Sequence, residues 1–253
     1  MPATVIIPAR FSSSRFPGKP LVPILGKPMI QHVYERAQKA REVKEVWIAT
    51  EDIRIARAVE GFGGKAVMTS PKHPTGTHRV IEAQKMVGGD PVVNLQGDEP
   101  LIDPQQVDLV IKALEEDPSA DLATLGVLSR DSQEIGDPNN VKVVMDHQQY
   151  AMYFSRAPIP FYRDEGSLGP GASKSAWIHV GIYAYRKEAL EMIQSLPPAP
   201  WEEAEKLEQL RFLYWGLRIK VIPTHQRTIG VDVPEDAARV ERILLQELSR
   251  EGA

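Results

Sequence analysis

Residues 3–20 read ATVIIPARFSSSRFPGKP. The first seven, Ala3 to Ala9, form a short apolar run rich in β-branched residues, which predicts a strand. The polar stretch that follows carries Arg10, Arg15 and Lys19 among serines and a glycine, and so lies at the carboxyl end of that strand. In an open α/β sheet this end faces the ligand crevice. Backbone N–H groups of a Ser/Gly loop, two guanidinium groups and an ammonium together suit a polyphosphate chain. One cation there would read as a solvated turn. Three cations within ten residues at a strand end point to phosphate binding.

Working outward, further strand-like runs occur at 43–50 (VKEVWIAT), 65–70 (KAVMTS), 91–96 (PVVNLQ) and 121–128 (DLATLGVL), alternating with amphipathic segments. Pro28 opens one with Ile30, Val33, Tyr34 and Ala37 on a single face, and Asp103-Pro104 caps another with Val107, Val110, Ile111 and Leu114 inward. This alternation predicts βαβ units and a mainly parallel sheet. Beyond residue 130 the runs 141–146, 150–156 and 177–185 predict a β-rich part inserted in or appended to the same sheet. Residues 163–175 (RDEGSLGPGASKS) have no apolar period and are expected to form a mobile loop acting as a lid. A helix with Leu207, Leu210, Tyr214 and Leu217 inward is expected after the Pro-rich turn 197–200, then a strand at 218–223 and a terminal helix from Pro234. The expected organisation is one α/β domain, 1–253. Its portions are 1–130 for the nucleotide, 131–225 for the second substrate and dimerisation, and 226–253 for a metal-site loop and final helix.

Composition narrows the function. Lys plus Arg number 30 against 34 Asp plus Glu, a net charge of −4. No basic field exists to attract nucleic acid or anionic lipid. There is no cysteine, which excludes disulfides, thiolate catalysis and Cys-ligated zinc or iron–sulfur sites, and suits a reducing compartment. No apolar stretch reaches about 18 residues and no basic region precedes the first apolar run, so neither a membrane span nor a signal peptide is expected. The expected location is cytoplasmic. Gly61, Gly63 and Ala66 fit a loose G-x-G-x-x-A, but after a helix and before a strand, the reverse of a dinucleotide turn, and read as a helix stop. No P-loop, H-E-x-x-H or G-x-S-x-G motif occurs, and the six histidines show no metal-ligand spacing.

Two acidic sites remain. Asn94-Leu95-Gln96-Gly97-Asp98-Glu99-Pro100 places an acid pair just past a strand, where a carboxylate can hold Mg²⁺ against nucleotide phosphates. Gly230-Val231-Asp232-Val233-Pro234-Glu235-Asp236 leads into the last helix. Asp232 alone reads as a helix cap. Only together with Asp98 does it read as a metal ligand.

Six blocks in order carry a family resemblance: I-I-P-A-R-x-x-S-x-R-x-P-G-K-P-L from Ile6, N-x-Q-G-D-E-P from Asn94, Y-F-S-R-x-x-I-P from Tyr153, H-x-G-I-Y-x-Y-R from His179, L-E-Q-L-R from Leu207 and G-V-D-x-P-E-D from Gly230. The chain from Val5 to about Val240 closely resembles the 3-deoxy-manno-octulosonate (Kdo) cytidylyltransferases. The first block alone is shared with sialic-acid cytidylyltransferases and NDP-sugar pyrophosphorylases. The resemblance implies a Rossmann-like, glycosyltransferase-A-like nucleotidyltransferase fold. It also implies Mg²⁺-dependent transfer of CMP from CTP to the anomeric hydroxyl of Kdo, with release of pyrophosphate, as a step toward lipopolysaccharide, in a cytoplasmic homodimer.

By position, the resemblance implies that Arg10, Arg15 and Lys19 hold the triphosphate and that Pro8, Ala9, Gln96, Gly97 and Thr77 meet the nucleotide. Asp98 and Asp232 would share the magnesium, and Arg156, Arg163, His179, Glu208 and Gln209 would meet the sugar acid. Taken alone, Arg156 reads as a surface cation, His179 as a core histidine and Glu208 as a solvated helix acid. One block departs from the family's H-x-S-G-T-E/D-R: here it is His73-Pro74-Thr75-Gly76-Thr77-His78-Arg79, in which His78 replaces an acid and is expected to cap or pack rather than to read the nucleotide. The closest rivals are a cytidylyltransferase for another 2-keto sugar acid or for 8-amino-Kdo, and a catalytically silent nucleotide-binding homologue. Retention of Lys19, Asp98 and Asp232 argues against the last.

Overall fold

The opening apolar run is strand β1 (Ala3–Ala9), buried along almost its whole length. The computed structural model describes residues 2–12, 16–163 and 174–251. Arg15 and nearly all of the expected 163–175 lid lie outside the described residues. The chain forms two compact units, 1–112 with 228–253, and 113–227.

In the first unit a single 3-10 turn (Lys19–Leu21) follows β1, then the short antiparallel pair β2 (Pro23–Ile24) and β3 (Lys27–Pro28). Next come α1 (Met29–Ala37), β4 (Val43–Thr50), α2 (Ile53–Gly61), β5 (Ala66–Met68), α3 (Gly76–Val87), β6 (Val92–Asn94) and α4 (Pro104–Glu116). β1 pairs in parallel with β4 on one side and β6 on the other, and β4 pairs in parallel with β5. Covered on both faces, such strands read as continuous apolar runs rather than alternating ones. Met29, Ile30, Val33, Tyr34 and Ala37 are the buried face of α1, as their spacing predicts. Asp52 caps α2 and Asp103 accepts from the Gln105 N–H at the start of α4. The Gly61–Ala66 stretch does stop α2, with Gly63 at a φ of 78°.

The second unit holds β7 (Leu122–Ser129), α5 (Ser132–Gly136), β8 (Lys142–Met145), β9 (Ala151–Ser155), β10 (Ala176–Tyr185), α6 (Lys187–Ser195), α7 (Pro200–Glu205), α8 (Gln209–Tyr214) and β11 (Ile219–Thr224). β7 is flanked by β11 in parallel and β10 antiparallel, and β8 pairs antiparallel with both β10 and β9. The single helix expected around Leu207–Leu217 is instead broken in two. Lys206 sits in the left-handed region at a φ of 55°, and Tyr214 is 43% exposed rather than inward. The Glu205 carboxylate is held by the Ser155 hydroxyl at 2.6 Å and the Arg156 N–H at 2.9 Å, and Arg211 Nε donates to Glu202 at 2.7 Å across the break. These contacts override local helix propensity.

The chain returns to the first unit for α9 (Pro234–Glu251), whose Ala237, Val240 and Leu244 pack with Val231 against Ile24 and Met29.

Candidate active site

The loop after β1 doubles back through Gly18, whose N–H donates to the Phe11 carbonyl at 2.8 Å. Gly18 has a φ of 72°, which favours glycine, and a Cβ there would press on the Phe11 ring, 3.1 Å from Cζ. The Arg54 guanidinium stacks 3.3 Å above the Phe11 ring and is itself clamped by Asp52. This packing delivers Lys19 to the carboxyl ends of the parallel strands. Its ammonium Nζ lies 2.6 Å from Asp98 Oδ2 and 3.4 Å from Asp232 Oδ1.

Asp98 follows β6 through Gly97, where a Cβ would stand 3.1 Å from both the Pro8 carbonyl oxygen and Ile30 Cδ1. The loop after β6 therefore passes close against the end of β1 and the start of α1, where a larger side chain would be crowded. Gly76, at the start of α3, is close enough that a Cβ would touch Pro8 Cγ at 3.4 Å, so Pro8, Gly97 and the buried Thr77 cluster at this edge. Arg10 turns its Nη2 to the His73 carbonyl at 2.9 Å. Beside it the fully buried Arg79 pairs with Glu51 at 2.6 Å, and Glu51 also accepts from the Phe11 N–H at 3.3 Å, pinning the loop from below.

Asp232 is drawn to Asp98 through the backbone, since the Val231 N–H donates to the Asp98 carbonyl at 2.9 Å. Asp236, the third residue of α9, turns back so that its Oδ2 accepts from the Asp232 and Val233 N–H groups, and these bonds hold the Asp236 carboxyl below its ordinary range.

Glu99, next to Asp98, is buried, and its Oε2 has no hydrogen-bond partner among the described residues. Burial and then the Asp98 charge push its pKa up to about 8, with the Thr228 hydroxyl donating to it as a partial offset. It is therefore mostly neutral at pH 7 and adds little negative charge beside Asp98. Sequence reading assigned no part to Glu99, Thr228 or Asp236. For Asp236 a signal existed: an acid at the third position of a helix opened by proline is placed to reach back to the preceding N–H groups.

His78 is the third residue of α3. The Thr75 hydroxyl accepts from the His78 N–H at 3.3 Å, and Thr75 Oγ1 lies 2.9 Å from His78 Nδ1. The Thr75 hydroxyl and the His78 N–H thus form one half of a capping box, which an acid at this position would complete.

The sugar-acid candidates lie in the second unit. The His179 ring stands 5.1 Å from Phe154 and 5.3 Å from Tyr183, with Nε2 3.0 Å from Thr124 Oγ1. Burial lowers its pKa to about 3, so the ring is neutral. Thr124 Oγ1 is 2.7 Å from the Ile182 carbonyl; donating there, it accepts from a His179 Nε2–H and fixes that tautomer. Glu208 precedes α8, near enough to Tyr183 that its charge helps raise the phenol pKa, and Gln209 is buried. Arg163 is exposed. Arg156 donates from Nε to the Glu205 carbonyl at 2.8 Å and from Nη1 to the Pro138 carbonyl at 3.0 Å, a bracing position.

A profile described as cytidylyltransferase matches residues 4–219. The chain belongs to the cytidylyltransferase family. This cytidylyltransferase is 49% identical over 245 residues to the 3-deoxy-manno-octulosonate cytidylyltransferase of Geobacter sulfurreducens, covering 95% of this chain and 98% of that protein. It is 48% identical over 248 residues to the 8-amino-3,8-dideoxy-manno-octulosonate cytidylyltransferase of Shewanella oneidensis, covering 96% and 99%. A solved structure of CMP:2-keto-3-deoxy-manno-octonic acid synthetase complexed with CTP is similar to it with a TM-score of 0.91 and 44% identity, over 96% of this chain and 98% of that one.

Proposed function

We propose that the protein transfers CMP from CTP to the anomeric hydroxyl of 3-deoxy-manno-octulosonate and releases pyrophosphate. The observation that carries this reading is the meeting of Lys19, Asp98 and Asp232 at the strand ends, within a chain about half identical to enzymes named for that transfer. A silent binding homologue has no need to keep this trio in register.

The site fits a Mg²⁺ ion. The Lys19 ammonium already bridges the two carboxylates as a cation would, and both supply the hard oxygen ligands that Mg²⁺ takes. Among the described residues no cluster of three or more His, Cys, Asp or Glu exists to hold a metal. A Mg²⁺ ion usually takes one or two carboxylates and completes its shell with water and phosphate oxygens. When bound, it would lower the pKa of the attacking sugar hydroxyl and offset charge developing at the α-phosphate.

Asp98 and Asp232 would hold that ion. Lys19 and Arg10 bind and orient the triphosphate for in-line displacement, in which the sugar oxygen bonds to the α-phosphorus as the bond to pyrophosphate breaks. Arg15, Pro8, Ala9, Gln96, Gly97 and Thr77 are proposed to complete the nucleotide pocket. Arg156, Arg163, His179, Glu208 and Gln209 are proposed to meet the sugar acid, with the neutral His179 limited to hydrogen bonding rather than ion pairing.

The 8-amino sugar is the one rival substrate with a specific observation behind it, the near-equal identity to relatives named for it. Pyrophosphate release measured with CTP, Mg²⁺ and each sugar acid separates the two: higher kcat/KM with Kdo is expected. Preference for the amino sugar would reassign the substrate, and turnover with neither would remove the function.

We also infer a cytoplasmic homodimer. The lack of cysteine suits a reducing compartment, and among the described residues no helix is long and apolar enough to cross a membrane. In the second unit an aromatic ladder of Tyr153, Trp201, Tyr214 and Trp215, with centroids 5.2–5.8 Å apart, is partly exposed and suited to a second copy. Light scattering of the native enzyme tests this; a monomer at assay concentration would overturn it.

A further inference from the structure

Asp232 stands two residues ahead of Pro234, the first residue of α9, so that it and Val233 lie just outside the helix. Asp236, the third residue of α9, accepts at one oxygen, Oδ2, from the Asp232 N–H at 2.8 Å and the Val233 N–H at 3.1 Å. The preceding N–H, that of Val231, donates to the Asp98 carbonyl at 2.9 Å. Three successive N–H groups, 231 to 233, are thus anchored, the first by the loop bearing one site carboxylate and the next two by Asp236.

We propose that Asp236 is a positioning residue for Asp232: by accepting from the Asp232 and Val233 N–H groups, it fixes the backbone from which the Asp232 carboxylate reaches Lys19. Without it, the 232–233 backbone loses both of its bonds to α9 and the Asp232 carboxylate loses its fixed approach to the cation. Because both bonds converge on one oxygen, asparagine can make them through its carbonyl, whereas alanine cannot. Glu235, also acidic and in the first turn of α9, adds to the helix-dipole interaction but is not the acceptor of these bonds.

This inference rests on the proposal that Asp98 and Asp232 share a divalent ion, and the test separates the two. The full-length enzyme without nucleotide is titrated with Mn²⁺ and free metal is read by electron paramagnetic resonance, with melting curves run in parallel. Asp236→Ala is expected to weaken Mn²⁺ binding by about tenfold or more, as loss of a group orienting a ligand does. Asp236→Asn should stay within about twofold of wild type, since the orienting bonds survive. Glu235→Ala should change melting alone. If Asp236→Ala melts below the assay temperature, Asp236→Ser, too short to reach both N–H groups, carries the same expectation. Wild-type Mn²⁺ affinity in Asp236→Ala or Ser, with Asp232→Asn weakened, overturns the positioning role, as does an Asn variant as impaired as Ala. Unchanged affinity in Asp232→Asn would instead overturn the shared-ion proposal beneath it.

Discussion

The Lys19 ammonium lies 2.6 Å from Asp98 Oδ2 and 3.4 Å from Asp232 Oδ1, joining carboxylates 79 and 213 positions away along the chain. A cation that offsets one of the pair's two charges before nucleotide arrives must exchange partners when phosphates and a divalent ion take their places. Lys19 therefore has two separable effects.

Lys19→Ala removes a charge-assisted contact to the triphosphate worth about 1.5–3 kcal/mol. The expected loss in kcat/KM for CTP is about ten- to a hundredfold. Without nucleotide the same variant should bind Mn²⁺ more tightly than wild type, because the competing ammonium is gone. A near-normal kcat/KM for CTP would remove the phosphate assignment.

Asn at position 98 or 232 keeps the side-chain shape but loses the charge that captures the ion. Each single variant should raise the Mg²⁺ concentration needed for half-maximal single-turnover rate. The double variant should be little worse than the poorer single one, since both serve one ion. Multiplicative losses in the double variant would argue for separate roles.

Arg163→Ala should raise KM for the sugar acid more than for CTP. Arg156→Ala should chiefly lower the melting temperature, because its donors brace the carbonyls of Glu205 and Pro138. Steady-state kinetics and melting curves of both variants distinguish binding from bracing, and equal effects of Arg163→Ala on the two substrates would place it elsewhere.

His78→Glu introduces an acid able to complete a capping box with Thr75. Stability should rise by about 0.3–1 kcal/mol, read as a higher melting temperature, with KM for CTP unchanged. A large change in nucleotide selectivity would show instead that the side chain faces the nucleotide.

His179 carries a pH signature. Its pKa falls from an ordinary 6.5 to about 3 in the folded chain. Between these values the unfolded chain binds a proton that the native chain does not, so stability falls as pH drops through that window. The loss from pH 7 to pH 5 should be about 2 kcal/mol in urea unfolding. His179→Gln, which keeps a donor for Thr124, should remove that increment; an unchanged pH slope would place the ring in a more solvated setting.

Much of the architecture was legible along the chain because its causes are local. The β-branched run 3–9, the Pro28 and Asp103-Pro104 helix starts and the Gly61–Ala66 stop each act over a few residues, and the folded chain keeps them. The Leu207–Leu217 pattern misled for the complementary reason. Its apolar spacing is helical, but Glu205 is held by β9 and Arg211 by Glu202, so distant contacts set Lys206 in a conformation that no local period records.

The same division runs through the site. Sequence by itself determined the family, the strand-end loop with its cations and the two acidic motifs, since strand ends, charges and turn residues are written residue by residue. Only the tertiary structure decided that one ammonium meets both Asp98 and Asp232, that Asp236 reaches back to the Asp232 N–H, that the His78 side chain meets the Thr75 hydroxyl and that Arg156 braces two carbonyls. Each of these depends on which acceptor lies nearest in space, and that is set by packing elements far apart in the chain.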